Sequence, residues 1–210
     1  MLKRLFITIF SVFLIFSLSN IISYANNLGT LSYWYANEES ADRIGRWLST
    51  PTAWQGPIDN SFTSSVFNGH VTHAKNQWSN AGISRANFFN TDDVSNANFI
   101  IRAGTYENLR RYRPDLDDTA AGETFIAGNV EGNWTYSNST KTGVRISRAE
   151  AYIYYFSNQN SNYHRNTFIH EIGHGLGWFG HSTNSSDLMG GDSTRTSLTT
   201  RDQRHLNQVY

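Results

Sequence analysis

Three helices are predicted, and the first of them is marked by apolar residues at helical spacing. In residues 62–81 they lie three or four positions apart and form one stripe, which predicts an amphipathic helix: Phe67, Val71, Ala74, Trp78 and Ala81. A second helix is predicted at about 165–176. A third is predicted to begin at Thr200, which caps it together with Gln203 three positions on. The inward-facing residues of this last helix are Leu206, Val209 and Tyr210.

Shorter segments have the composition and alternation of β-strands. They are residues 30–36, 97–103, 122–129 and 142–148. Residues 149–156 fit either the continuation of a strand or the start of a helix, and periodicity does not decide between them. A turn is predicted at 56–60, where Pro57 has no N–H to donate to a ladder. The order of strand, helix, several strands and two helices is an α+β pattern rather than a regular βαβ array.

The first 25 residues differ from the rest of the chain. Lys3 and Arg4 precede a nearly unbroken apolar run, and the segment ends with small residues, Ser23 and Ala25, at the positions that a signal peptidase reads. We interpret residues 1–25 as a secretory signal peptide and residues 26–210 as one domain. The alternative is an uncleaved membrane anchor, for which the apolar run is short and interrupted by polar residues. Cleavage predicts a secreted, extracellular protein with no stable membrane association.

Composition narrows the chemistry. The chain has 210 residues, of which 39% are hydrophobic, enough for a core that needs no disulfide. It has no cysteine, which excludes thiolate metal ligands, a thiol nucleophile and a disulfide framework. The formal net charge of +0 and the lack of a long basic run argue against nucleic-acid binding.

One segment carries a candidate metal site. From His170 to His181 the sequence reads HEIGHGLGWFGH. On a helix, His170 and His174 are one turn apart on the same face, so both imidazoles reach one ion. A straight helix would carry His181 too far along its axis. Gly177 stands where a residue with positive φ would end the helix and turn the chain back, so that His181 can supply a third ligand.

Three histidine ligands and an adjacent carboxylate indicate a catalytic site. Three protein ligands on zinc leave one position for water, and zinc lowers the pKa of that water and polarises a carbonyl. Glu171 follows the first ligand directly and therefore points beside the metal. It can take a proton from the water and deliver it to a leaving amine. A closed structural site would have no need of that carboxylate.

The pattern H-E-x-x-H-x-x-G-x-x-H is the metzincin signature. Ser182, followed by Asp187-Leu188-Met189, resembles the matrixin branch, the matrix-metalloproteinase-like enzymes. The resemblance implies a zincin-like domain with a twisted mixed sheet, an edge strand over the cleft, an active-site helix and a C-terminal helix. It implies a secreted zinc metalloendopeptidase in which Met189 forms a turn beneath the metal. The zinc motif and Met189 are its specific parts, and the rest of residues 30–210 matches only in pattern.

The resemblance also implies a protein or peptide substrate, bound in an extended conformation antiparallel to an edge strand. Residues 123–129 are the candidate for that strand, and an interior strand is the alternative. Calcium sites are common in the family, and the sequence assigns none. A monomer is expected.

The sequence departs from the family in several places. Gly190 and Gly191 follow Met189, where matrixins usually have a proline two residues on, and where astacins and serralysins have a tyrosine. Latency by a cysteine that plugs the zinc is impossible in a chain without cysteine. The remaining histidines do not match the structural-zinc pattern of the family: His70, His73, His164 and His205. The first two are three positions apart on the predicted helix, and they fit either a metal pair or a solvated face.

Two rival functions are consistent with the sequence. One is a zinc-bearing binding protein or toxin subunit whose peptidase activity is vestigial, although the presence of Glu171 argues against it. The other is a membrane-tethered peptidase that retains residues 1–25.

Overall fold

The described part of the chain is a mixed α/β structure built around one sheet. This computed structural model describes Leu31, residues 42–80 and residues 87–210. The strands are β1 (Arg43–Arg46), β2 (Thr52–Pro57), β3 (Phe89–Asn90), β4 (Phe99–Gly104), β5 (Gly122–Thr135) and β6 (Thr140–Tyr154). The helices are α1 (Ser64–Ser79), α2 (Tyr106–Leu109), α3 (Ser161–Gly175) and α4 (Thr200–Asn207).

The sheet is mostly parallel, with one antiparallel edge. β1 and β4 pair in parallel with successive halves of β6, and β2 and β3 continue the sheet beyond β4. β5 pairs antiparallel with the opposite side of β6, from Gly122↔Ile153 to Thr135↔Thr140. Within the described residues β5 has no second neighbour. Among the residues that the structure describes, 123–129 therefore lie on an edge strand.

Helices α1 and α3 pack together over the central strands. The predicted stripe of α1 is buried at Phe67, Val71, Ala74 and Trp78, which join the main core. Trp78 also donates its Nε1–H to the backbone oxygen of Ile169, 2.9 Å away, and so ties α1 to α3. Because α3 is held between α1 and the sheet, the position of its histidines is fixed by the core. No helix in the described ranges is both long and apolar enough to cross a membrane.

Several predicted boundaries are corrected by local hydrogen bonds. Helix α3 begins at Ser161 rather than at about 165, because the Asn160 side chain accepts hydrogen bonds from the N–H groups of Asn162 and Tyr163. Residues 149–154 continue β6, since they pair with β4 over their whole length. The cap of α4 is Thr199, which forms a reciprocal capping box with Asp202, and the predicted pair one residue later is wrong.

The predictions for the N-terminal part mostly lie outside the described residues. This holds for the signal peptide at residues 1–25, and for Ala81 at the end of the predicted α1 stripe. Of the predicted strand at 30–36, only Leu31 is described. Its backbone N–H and C=O bond to the side-chain amide of Asn138, each at 2.9 Å.

Candidate metal centre

The end of helix α3 turns sharply at a glycine. Gly177 has φ +113°, a conformation that L side chains rarely adopt. The N–H of Gly177 bonds to the C=O of His174 at 2.9 Å, and the N–H of Trp178 bonds to the C=O of Gly173 at 3.0 Å. This pair of bonds is a Schellman motif, which satisfies the last carbonyls of the helix. The helix ends just before Gly177, and the reversed chain brings His181 back beside the helix.

We expect Gly177→Ala to destabilise the protein by about 2 kcal/mol or more, from the left-handed backbone strain. An added Cβ would also lie 2.4 Å from the backbone oxygen of Gly45, which cannot move without disturbing β1. The free energy of unfolding in urea measures the effect. Gly191→Ala is the matched control, since nothing lies within 4 Å of its Cβ position. Equal losses in the two variants would contradict the argument.

The three histidines of the motif meet at one point. The Nε2 atoms of His170 and His174 are 3.0 Å apart, and those of His181 and His170 are 3.2 Å apart. Within the described residues this is the one group of three or more His, Cys, Asp or Glu side chains whose ligand atoms could hold a metal ion. The structure therefore brings together all three predicted ligands, one pair from α3 and the third from beyond its end.

Backbone carbonyls orient two of the rings. His170 Nδ1 lies 3.2 Å from the oxygen of Leu188, and His174 Nδ1 lies 2.7 Å from the oxygen of Trp178. A carbonyl only accepts, so each Nδ1 carries the proton and each Nε2 is left with a lone pair. Burial lowers the pKa of His170 to about 4 and that of His174 well below its usual value, which keeps both rings neutral. Carbonyl-bound imidazoles of this kind are typical of metal ligands.

The donor set fits a tetrahedral metal. Zinc binds imidazole nitrogen at about 2.0–2.1 Å, which in tetrahedral geometry separates two ligand nitrogens by about 3.3 Å. The Nε2 separations of 3.0 and 3.2 Å come close to that value. Lone pairs that face one another repel, and a cation between them removes the repulsion. Three imidazole donors suit zinc and other late first-row metals better than calcium or magnesium.

Glu171 lies beside the histidines and is almost fully buried, with 5% of its surface exposed. The Thr124 hydroxyl on β5 is 2.7 Å from its Oε2. Burial raises the pKa of Glu171 to about 8, the Thr124 hydrogen bond acts in the opposite direction, and Glu123 raises it further. The Glu171 carboxyl therefore lies next to the imidazoles, where it can act as a proton acceptor.

A cavity of about 450 Å³ opens between β5 and the end of α3. Its polar and charged lining consists of Glu171, His174 and His181 together with Arg43, Glu123 and Thr124. The cavity follows β5 from Gly122 to Val130, a length that suits an extended chain of several residues. Apolar side chains line much of its wall: Phe125, Ile126, Val130, Val144 and Phe179.

The turn that contains Met189 lies next to His170, and Met189 itself is fully buried. Met189 packs under α3, because its sulfur lies 2.9 Å from the point where a Cβ on Gly173 would be. Asp202 of α4 accepts hydrogen bonds from the N–H of Leu188 at 2.9 Å and from that of Met189 at 3.2 Å. Since the oxygen of Leu188 bonds His170, a chain of bonds joins α4 to a predicted metal ligand.

Asp187 fixes the same turn from the other side. Its carboxylate accepts hydrogen bonds from Ser182 at 2.6 Å, from Thr199 at 2.7 Å, and from Arg201 Nε at 3.0 Å to each oxygen. Burial raises the pKa of Asp187, and these hydrogen bonds and the Arg201 charge outweigh it, so that the pKa is lowered from its usual value.

We expect Asp187→Asn to lower the free energy of unfolding by about 1–3 kcal/mol at pH 7. Because the pKa of the native carboxyl is depressed, its stabilisation is present above the ordinary aspartate pKa of about 3.9 and is lost as the pH falls through the native value. The difference from wild type should therefore narrow towards acid pH. Urea unfolding with a chelator present, between pH 7 and pH 3, measures it against exposed Asp192→Asn. If the difference in the free energy of unfolding between wild type and Asp187→Asn stayed constant with pH, the predicted pH dependence would be wrong.

The remaining histidines take no part in the centre. The solvated-face interpretation is wrong for His70, which is buried and 5.3 Å from the ring of Phe168. His73 bonds the backbone oxygen of Thr196 at 2.8 Å. His164 and His205 are also buried. Neither His70 nor His73 belongs to a metal-capable group in the described ranges.

Sequence reasoning missed three residues that hold the site. Thr124 had no signal beyond its place in a predicted strand. Asp202 was detectable as a capping residue, but the cap was placed one residue too late. Asp187 was recognised only as part of a resemblance, without its bonds to Ser182 and Arg201.

Comparison with known proteins adds no relative. No protein-family model matches the chain, and no curated protein matches it. The interpretation of the site therefore rests on the chain's own residues.

Proposed function

We propose that this protein is a secreted zinc metalloendopeptidase of metzincin type, which hydrolyses peptide bonds in extended polypeptide substrates. The observation that carries the proposal is the convergence of three histidine side chains next to a buried carboxyl group, in the wall of a groove. A purely structural metal site would have neither the adjacent carboxylate nor the open groove.

Zinc is the proposed metal, and His170, His174 and His181 would hold it. Bound there, zinc would supply a Lewis acid for the scissile carbonyl and make water acidic enough to react near neutral pH. The chain has no cysteine, so thiolate ligands are excluded, and the three side chains that converge are imidazole nitrogen donors. The hydrogen bonds that His170 and His174 donate to the carbonyl oxygens of Leu188 and Trp178 keep these two rings in the tautomer that can bind the metal.

Glu171 is the proposed base. It would take the proton from the attacking water and return it to the amine that leaves. Burial favours a proton on this carboxyl, which suits a group that must both accept and release one near neutral pH.

The substrate would lie along β5. Within the described part of the chain the outer edge of β5 is unpaired, so its N–H and C=O groups are available to an added strand. The groove beside β5 leads to Glu171 and His181, which would place the scissile bond at the metal end. Its apolar wall favours substrates with hydrophobic side chains near the cleaved bond.

The matrixin-like assignment is supported by the motif, by the turn at Met189 and by an antiparallel edge strand on a mostly parallel sheet. Secretion is supported by the pattern of residues 1–25 alone. We propose further that the mature protein acts as a monomer without stable membrane association. Calcium is left unassigned.

Hydrolysis of casein and of an internally quenched peptide by the purified protein tests the function. We expect cleavage that 1,10-phenanthroline abolishes and that added zinc restores. Atomic absorption should give one zinc per chain. A protein that binds one zinc yet cleaves no unfolded protein would be a binding module, and the proposal would be wrong.

A further inference from the structure

We propose that Thr124 is a positioning residue that orients the carboxylate of Glu171 from the substrate-binding edge strand. The inference rests on the proposed peptidase function and names a residue that the metal-binding motif does not contain.

The Thr124 hydroxyl lies within hydrogen-bonding distance of both the carboxyl group and the backbone oxygen of Glu171. Its Oγ1 is 2.7 Å from Oε2 of the side chain and 2.9 Å from the backbone oxygen of the same residue. The hydroxyl has one proton, and the carboxylate oxygen at the shorter distance is the stronger acceptor. Because its carboxyl group is held close to its own backbone, the Glu171 side chain has few accessible rotamers. Within the described residues no donor bonds the other oxygen, Oε1, which leaves that atom to act on water.

Gly122, on the same face of β5 as Thr124, leaves room for the Glu171 side chain. A Cβ at this position would lie 2.8 Å from Cγ of Glu171 and 2.8 Å from the backbone oxygen of Tyr152. Residues two apart on a strand point to the same side, so the bare backbone of Gly122 and the hydroxyl of Thr124 face the carboxylate together. The Glu171 side chain therefore fits against β5 because Gly122 has no side chain, and the Thr124 hydroxyl bonds its carboxyl group from the same face.

The position on β5 gives the contact a functional meaning. Thr124 belongs to the segment 123–129 that would pair with the substrate, so a single strand would align both the scissile bond and the base. Orientation of a reacting group contributes directly to the rate of the chemical step, whereas binding of the peptide depends on the outer edge of the strand. Loss of the hydroxyl should therefore lower kcat and leave KM nearly unchanged.

Thr124→Val tests this with an isosteric side chain that lacks the hydroxyl. Loss of the hydrogen bond that orients the reacting carboxyl group predicts a fall in kcat of about 10- to 100-fold, with KM within about twofold of wild type. Thr124→Ser restores the hydroxyl and should recover activity to within about threefold. Thr135→Val, at an exposed position on the same strand, is the matched control and should behave as wild type. Zinc content should be unchanged in all of them.

A crystal structure of Thr124→Val gives a readout that is independent of turnover. We expect the Glu171 carboxylate to leave the position seen here, while the three Nε2 atoms stay together. If Thr124→Val fails to fold, Thr124→Ala compared with Thr124→Ser makes the same distinction.

The outcomes separate the two proposals. An active wild type with full kcat in Thr124→Val, or with an unmoved Glu171, overturns the positioning role and leaves the peptidase function intact. A wild type that binds zinc and cleaves nothing overturns the peptidase function, and the positioning role falls with it. A loss in Thr124→Val that Thr124→Ser does not recover also overturns the positioning role.

Discussion

Replacement of Glu171 by Gln is expected to lower peptide hydrolysis by about 10²- to 10⁴-fold while zinc stays bound. The amide has the same shape as the carboxyl and can still accept the hydrogen bond that Thr124 donates to Oε2. It cannot take a proton from water or return one to the leaving amine. The three converging nitrogens belong to other residues, so the metal site is unchanged by the substitution.

Steady-state kinetics on a quenched peptide and zinc analysis of the same sample measure the two parts of this result. Glu131→Gln is a suitable control, because Glu131 is an exposed glutamate on β5 whose carboxylate pairs with Arg145 at 3.2 Å. Activity of Glu171→Gln within tenfold of wild type would exclude Glu171 as the base.

Replacement of His181 by Ala is expected to weaken zinc binding by more than about 100-fold and to abolish activity at limiting zinc. Loss of a partner that merely orients a ligand costs about 10- to 100-fold in metal affinity, and loss of a ligand itself should exceed that. His181 reaches the site only through the reversal at Gly177, and its Nε2 lies 3.2 Å from that of His170. The variant therefore tests the bent geometry as well as the ligand.

Competition with a chromogenic zinc chelator measures the affinity. His73→Ala removes a partly buried histidine that bonds the oxygen of Thr196, so it controls for the general effect of losing an imidazole. An unchanged zinc affinity in His181→Ala would show that the third ligand comes from elsewhere.

The metal-ligand geometry was largely predictable because it depends on local spacing. Two histidines four positions apart on a helix share a face whatever surrounds the helix. A glycine after the last helical turn indicates a positive φ at that position, since φ near +113° excludes most other residues. The stripe from Phe67 to Trp78 was equally readable, because helical periodicity marks the side that the core covers.

The support around the ligands was not predictable, because it comes from contacts between distant parts of the chain. Thr124 meets Glu171 only after β5 pairs with β6 and α3 packs on the sheet. Periodicity left residues 149–154 undecided, and their pairing with β4 makes them a strand. The start of α3 was placed late because the Asn160 cap lies inside a polar run that resembles a loop.

The bonds from Asp202 to the turn at Met189 also bear on how the centre matures. Asp202 follows His170 in the chain, so helix α3 is synthesised before the residue that holds the turn at Met189 in place. Trp178, at the bend, stacks on His205 of α4 at 3.8 Å, which ties the reversal to the same late segment. A nascent chain consequently carries its imidazoles before α4 is present to hold them in place, so the proposed activity would arise only when α4 has docked.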